Sequence, residues 1–159
     1  YGSQPANNKG YISIVEEIEN DGSIYKDKNV EVIAFKNDHG DFENSFGFLF
    51  ITKDKRILFS GDTGVSDNLM NYGENLDILV HEVYSSETFK NKTDDWQIYH
   101  NAHHTSSIDL GIIANKLKPK KLVLSHILFW GATEESLLDD VKSNFDGNAI
   151  IAKDLMVIR

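Results

Sequence analysis

The 159-residue sequence contains no cysteine and only two prolines, and no run in it approaches the roughly 18 apolar residues of a membrane-spanning helix. Without cysteine, the chain can have no disulfide scaffold, thiolate-bound zinc, iron–sulfur cluster or thiol nucleophile. Any metal ligands must therefore be His, Asp or Glu. Basic residues are also few, 16 against 25 acidic ones, and the formal net charge of −9 disfavours nucleic-acid binding in the absence of a local basic patch or a metal ion.

The length and composition fit one globular domain. A chain of 159 residues, 40% hydrophobic and 26% charged, is long enough to bury a core and too apolar to remain disordered. We therefore treat residues 1–159 as a single domain.

Short runs rich in Val, Ile, Leu and Phe predict β-strands along most of the chain. Residues 1–10 are polar and predict a loop, and Tyr11–Glu19 alternates only in part between apolar and polar residues. The predicted strands are Val30–Phe35, Phe46–Thr52, Arg56–Ser60, Ile78–Val80, Leu122–Leu124, Ala149–Ala152 and Leu155–Ile158.

Two segments have helical periodicity. Ser107–Lys118 carries an apolar stripe after a capping-box pattern at Ser106 and Asp109, and Pro119 ends it. Thr133–Asn144 has Thr133 as N-cap and a second apolar stripe. Strands that come first and then alternate with helices predict a layered α/β protein with a mixed sheet.

Ligand-type side chains follow four of the predicted strands. They are His39, Asp62, His81 and His126. The carboxyl edge of an open α/β sheet is where ligands bind, and a set of His with one Asp suits zinc, iron or manganese better than magnesium. A carboxylate that bridges two ions would hold them close enough to activate water and clamp a phosphoryl group.

The same residues also have ordinary structural interpretations. A single His after a strand is more often a core or surface residue, and Asp62, between two glycines of Gly61–Gly64, fits a turn. Glu82 could end a solvated strand, and His103 and His104 could lie in a loop before the helix cap. The residues alone leave both interpretations open.

Five motifs in order, from about residue 30 to residue 158, resemble those of metallo-β-lactamase-fold hydrolases, most closely the ribonuclease Z and arylsulfatase-like branch. The segments that carry the resemblance are His39-Gly40 with Ser45–Phe48, Ile57–Thr63 (ILFSGDT), Asp77–Tyr84 (DILVHEVY), His104–Ser106 with Lys121–His126 (KLVLSH), and Phe145–Leu155.

One hallmark of that family is missing. The pattern His-x-His-x-Asp-His does not occur in the sequence. In the family it lies in the N-terminal half of an αββα sandwich, and Tyr1-Gly2 is similar to the end of a strand that follows that half. The resemblance thus implies that the chain is the second, C-terminal half of the sandwich and that the first half precedes it.

The resemblance also implies roles for five residues. Asp62 would bridge two metal ions, His39 would bind one and His126 the other, and the first half would supply further ligands. The ions would be Zn²⁺, two per intact protein, with iron or manganese as alternatives, and a metal-bound hydroxide would be the nucleophile. His104 would donate a proton to the leaving group or stabilise transition-state charge, and Glu82 would orient His104.

The substrate that the resemblance implies is a small phosphodiester or sulfate ester. A ribonuclease Z-like tRNA 3′-processing endonuclease is the main alternative, although the segment between His39 and Asp62 is too short for a long basic tRNA-binding insertion. Two further alternatives are a non-catalytic half-domain and a metal-free homologue. We expect the isolated chain to be inactive.

The remaining expectations concern partners, compartment and aromatic residues. We expect the N-terminal half as a partner and no membrane; a homodimer and a nucleic-acid partner are left open. The default compartment is the cytoplasm, and export stays open. Four aromatic residues would line a substrate pocket or belong to the core, namely Trp96, Tyr99, Phe129 and Trp130.

Overall fold

The computed structural model describes residues 14–158, which form one seven-stranded mixed sheet with helices. The strands are β1 (Gly22–Lys26), β2 (Val30–Lys36), β3 (Phe46–Thr52), β4 (Arg56–Phe59), β5 (Ile78–Tyr84), β6 (Lys121–Leu128) and β7 (Ala149–Ile151). The helices are α1 (Asp67–Tyr72), α2 (Ser86–Phe89), α3 (Asp94–His103), α4 (Ser107–Leu117) and α5 (Glu134–Lys142).

The strands lie in the sheet in their order along the chain, β1 to β7. The first four pair antiparallel and β4 to β7 pair parallel. Short connections suffice for the antiparallel part; between β3 and β4 the Thr52 N–H donates to the Lys55 carbonyl at 2.9 Å. Each parallel pair requires a longer crossover, and each of these carries a helix.

The main core lies between one face of the sheet and three crossover helices. Since the chain moves in the same direction from β4 to β7, right-handed crossovers place α1, α4 and α5 on the same face. A row of paired leucines crosses that face at Leu49, Leu58, Leu79 and Leu122. The helices contribute Leu69, Leu110, Ile113, Ala114, Leu137 and Val141 to the same buried cluster.

The opposite face of the sheet is also apolar. Alternation along the strands directs Phe48 and Phe50 of β3 and Phe59 of β4 away from the leucine row. The rings of Phe50 and Phe59 meet edge to face at 5.6 Å, and Phe59 remains 42% exposed. The sheet thus presents partly exposed aromatic rings on the side away from α1, α4 and α5.

Most of the predicted elements are present. Phe46–Thr52 has the predicted bounds, whereas β5 and β6 continue to Tyr84 and Leu128. Both predicted helix caps form, since Ser106 accepts from the Asp109 N–H at 3.0 Å and Thr133 from the Ser136 N–H at 3.1 Å.

The prediction of a strand at Leu155–Ile158 is wrong. Residues 154 and 155 form a turn in which Leu155 has φ = 62° and is fully exposed, and the Met156 N–H donates to the Lys153 carbonyl at 3.0 Å. A short apolar run without a neighbouring strand to pair with does not become a strand. The predictions for residues 1–13 lie outside the described residues. Within residues 14–158, no helix has the length and apolarity needed to cross a membrane.

Candidate metal centre

The sheet topology brings the predicted site residues to one edge. Because β2 runs parallel to β4, and β4 to β5 and β6, the carboxyl ends of these four strands meet at the same edge. His39 lies in the loop after β2, Asp62 follows β4, Glu82 lies in β5 and His126 in β6.

Asp62, His104 and His126 form a compact cluster of potential ligands. One ligand atom from each lies within 4.8 Å of those of the other two. The Asp62 carboxylate is 3.2 Å from His126 Nε2. A carboxylate with two imidazoles is a donor set of zinc, iron and manganese sites, so the residues present fit a divalent transition metal.

Asp62 lies in a tight turn that only glycine can precede. Gly61 has φ = 64°, and a Cβ at this position would lie 2.6 Å from the Phe46 carbonyl oxygen. The buried Ser60 hydroxyl donates to the Gly61 carbonyl at 2.6 Å. Because Gly61 has no Cβ, the turn can pack closely against the neighbouring β3 strand, and Asp62 follows it at the sheet edge.

His126 occupies a β-bulge. The pairing of β5 with β6 passes from Glu82↔Ser125 to Val83↔Ile127 and leaves His126 without a partner in the ladder. His126 has φ = 42°, a conformation that few residues with a side chain adopt. The bulge turns the imidazole out of the strand, where its side chain is 52% exposed, toward Asp62.

Glu82 connects the segments that carry Asp62 and His104. The side chain is 2% exposed, and Oε1 accepts from the backbone N–H groups of Thr105 at 2.7 Å and Thr63 at 3.4 Å. The Thr105 hydroxyl also donates to the Thr63 carbonyl at 2.7 Å. One buried carboxylate oxygen thus fixes the residue after Asp62 and the residue after His104.

The other oxygen of Glu82 faces His104. Oε2 lies 3.4 Å from His104 Nδ1, a long contact, and within residues 14–158 neither atom has a closer polar partner. Burial disfavours the charged imidazolium, but the carboxylates of Glu82 and Asp62 outweigh burial, so the pKa of His104 is raised above its ordinary value. The two carboxylates thus favour the protonated form of His104.

His39 lies beside this cluster without belonging to it. Its Nδ1 is 2.7 Å from the His103 carbonyl, which can only accept, so Nδ1 carries the proton and Nε2 has a free lone pair. Its ring is 5.4 Å from that of His104. The next residue, Gly40, has φ = 55° and packs so tightly on His103 that a Cβ would overlap the imidazole.

His81 does not lie at the site. The sequence places it at a strand end, but β5 continues past it, and alternation turns it away from Glu82 into the fully buried layer of Leu79 and Val83. Its Nδ1 donates to the Glu82 carbonyl at 2.7 Å, and burial lowers its pKa.

The sequence analysis missed Thr63 and Thr105. Their backbone N–H groups bind Glu82 across distant segments, and such contacts leave no local pattern in the sequence.

Comparisons with known proteins agree with this architecture. No model of a known protein family matches the chain. A ribonuclease Z from Bacillus velezensis is 34% identical over 142 residues, which are 86% of this chain and 43% of the relative. Among solved structures, the metallo-β-lactamase-fold protein YhfI from Bacillus subtilis superposes with a TM-score of 0.67 at 20% identity, over 83% of this chain and 50% of YhfI.

The chain has the metallo-β-lactamase fold, and its sequence is similar to that of ribonuclease Z. The short form of human tRNase Z has the same fold, with a TM-score of 0.61 at 22% identity over 89% of this chain and 47% of the human protein. The fold prediction from the sequence is therefore confirmed. The chain spans less than half of the B. velezensis relative and of the human structure and half of YhfI.

Proposed function

We propose that the protein is a divalent-metal-dependent hydrolase of phosphodiesters. The observation that carries the proposal is the cluster of Asp62, His104 and His126 at the carboxyl edge of the sheet, with Glu82 directly behind His104. In this proposal Asp62 and His126 hold the metal, and His39 offers its free Nε2 to a second ion. A metal pair bound there would activate water and neutralise charge on the phosphoryl group, and zinc, with iron or manganese as alternatives, fits the donor set.

His104 is proposed to act on the leaving group. Its Nδ1 lies 3.4 Å from the buried Glu82 carboxylate, which favours the protonated imidazole that can donate a proton to a departing alkoxide. Glu82 stabilises the charged imidazole and holds its backbone through Thr105. The alternative role of His104 is that of a third ligand, which its place in the cluster also permits.

The rest of the fold is proposed to come from an N-terminal half that precedes this chain. Such a half would cover the aromatic face at Phe48, Phe50 and Phe59 and bring the His-x-His-x-Asp-His ligands to the same sheet edge. The partly exposed rings on that face and the coverage of less than half of the ribonuclease Z relative support this arrangement.

A phosphodiester is favoured over a sulfate ester because the sequence relatives are named ribonuclease Z. Those names also make RNA the second candidate substrate, against which the net charge of −9 argues. A small phosphodiester is therefore the first choice.

The substitution Asp62→Ala in the intact protein tests the proposal. The metal content should fall by at least one ion, because the carboxylate that would bridge the two cations and offset their repulsion is gone. Hydrolysis of bis(4-nitrophenyl) phosphate should slow by about 10³-fold, since a metal contributes several kcal/mol to the transition state. Asp54→Ala removes an exposed carboxylate from the β3–β4 turn and is the matched control. If Asp62→Ala keeps its full metal content and full activity, Asp62 does not bind metal and serves only in the turn.

A further inference from the structure

The loop after β2 packs between two segments of the candidate metal centre. On one side, the Asp38 carbonyl accepts from the Gly64 N–H at 2.6 Å, in the turn that carries Asp62. On the other side, the Gly40 N–H donates to the Ala102 carbonyl at 2.9 Å, in the last turn of α3. The position of this loop therefore sets the spacing of the candidate ligands.

The side chain of Asn37 ties the start of this loop to the turn. Asn37 directly follows β2 and is buried, and its Nδ2 donates to the Ser60 carbonyl at 2.7 Å. Its backbone N–H donates to the Ser45 carbonyl at 3.1 Å. Nδ2 also packs on Gly61, where a Cβ would lie 3.1 Å from it. The amide thus lies against the backbone of the two residues that precede Asp62.

The hydrogen bonds of Asn37 argue against a purely stabilising role. Its Oδ1 is buried and has no hydrogen-bond partner among the described residues. The side chain therefore pairs one buried acceptor, the Ser60 carbonyl, and leaves another unpaired. An unpaired buried acceptor costs at least as much stability as a typical hydrogen bond contributes. Leucine has the same branched shape and would also leave one acceptor unpaired, so what the amide adds is a fixed position for the turn.

We infer that Asn37 is a positioning residue that sets the separation of His39 from Asp62. His39 lies two residues after Asn37, and Asp62 lies two residues after Ser60. The bond from Asn37 to Ser60 therefore joins the two ligand-bearing segments at their base. Metal ligands must be held within about 0.5 Å of their working geometry by such supporting hydrogen bonds. The inference rests on the proposed function, because the geometry that Asn37 fixes is that of the proposed metal centre.

Metal binding by Asn37→Leu in the intact protein tests the inference without turnover. Zn²⁺ affinity is measured by competition with a chelator, and the visible spectrum of bound Co²⁺ reports the coordination geometry. We expect Zn²⁺ affinity to fall by about 10–100-fold, the usual effect of losing a residue that orients metal ligands, and the Co²⁺ spectrum to change. The urea midpoint should stay close to that of the wild type, since the number of unpaired buried acceptors is unchanged.

A second variant and a matched control complete the design. Asn37→Ala introduces no additional bulk and is used if Asn37→Leu fails to fold. The control is the same pair of substitutions at Asn68 on α1. Its Nδ2 donates to the Lys36 carbonyl at 2.7 Å, the same type of bond to the residue next to Asn37. The Asn68 variants should keep the Zn²⁺ affinity and the Co²⁺ spectrum of the wild type.

Three results would overturn the inference. If the Asn37 variants bind Zn²⁺ and Co²⁺ as the wild type does, Asn37 does not position the ligands. If the Asn68 variants lose as much Zn²⁺ affinity as the Asn37 variants, the loss reflects a general loosening of the loop after β2. If the wild-type protein itself binds no Zn²⁺, the proposed function fails and the inference fails with it, a result distinct from the other two.

Discussion

Replacement of Glu82 should weaken the fold and the candidate metal centre together. In Glu82→Ala, the Thr105 N–H loses a 2.7 Å bond to a carboxylate and the Thr63 N–H loses a longer bond of 3.4 Å, both in a buried setting. A hydrogen bond to a charged group contributes about 1.5–3 kcal/mol, and an unpaired buried donor costs a similar amount. Removal of the buried charge itself offsets part of the loss. We expect a net loss of about 3 kcal/mol.

Urea denaturation followed by circular dichroism measures that loss. With an m-value of about 1–3 kcal/mol/M, the midpoint should fall by roughly 1–3 M. Metal affinity, measured by competition with a chelator, should fall by about 10–100-fold, because the loops of Asp62 and His104 lose their common anchor. Glu82→Gln keeps one oxygen as acceptor, so its stability and metal affinity should lie close to those of the wild type.

Asp140→Ala is the matched control for stability. Asp140 on α5 accepts from the buried Ser107 hydroxyl at 2.7 Å, and among the described residues it forms no hydrogen bond or ion pair with the candidate metal ligands. This variant should lose stability without losing metal affinity. If Glu82→Ala unfolds at a lower urea concentration but binds metal as well as the wild type, Glu82 stabilises the fold only and does not position the ligands.

The remaining predictions concern two histidines. His104→Ala should keep both metals and slow hydrolysis by about 10²–10⁴-fold, most for esters with poor leaving groups; loss of metal would make His104 a ligand. His81 is fully buried and its pKa is lowered in the folded protein. As the pH falls, the imidazole is therefore protonated in the unfolded chain before it is protonated in the folded one. The free energy of unfolding should then decrease below about pH 6.5, by up to about 1.4 kcal/mol per pH unit. His81→Asn retains a side-chain N–H donor without titrating, so its stability should depend less steeply on pH in denaturation experiments; an equal slope would refute this account.

The central strands are predictable because their patterns are local. The run Ile57–Phe59 is apolar because the strand is buried, and a turn with Gly61 follows it. Asp62 is the first acidic residue after this run, so its place at the strand end can be seen in the sequence. β1 was missed because GSIYK at the sheet edge is mostly exposed and carries no alternation. α3 was missed because its buried residues are His100 and His103 instead of aliphatic ones, so no apolar stripe marks the helix.

The geometry of the centre is harder to predict, because it depends on contacts between distant segments. The bulge at His126 is defined by its pairing with β5, and nothing in KLVLSHIL marks the residue that leaves the ladder. His103 and His104 are adjacent in the sequence, yet one ends α3 against Gly40 and the other faces Glu82. Which of them approaches Asp62 follows only from the way the loop after β2 packs on α3.

Backbone strain at the sheet edge argues that Asp62 and His126 are held together for binding. Their 3.2 Å contact is between side chains that are 41% and 52% exposed, and such a pair contributes only about 0–1 kcal/mol to stability. The conformation that produces it costs more, since a non-glycine residue in the left-handed region costs about 1–3 kcal/mol and His126 has φ = 42°. On the Asp62 side of the pair, the preceding residue has φ = 64°, a conformation that favours glycine, and it is Gly61. The contact thus contributes less to stability than the backbone conformation of His126 costs. The arrangement becomes favourable when a third group, such as a metal ion, binds both side chains.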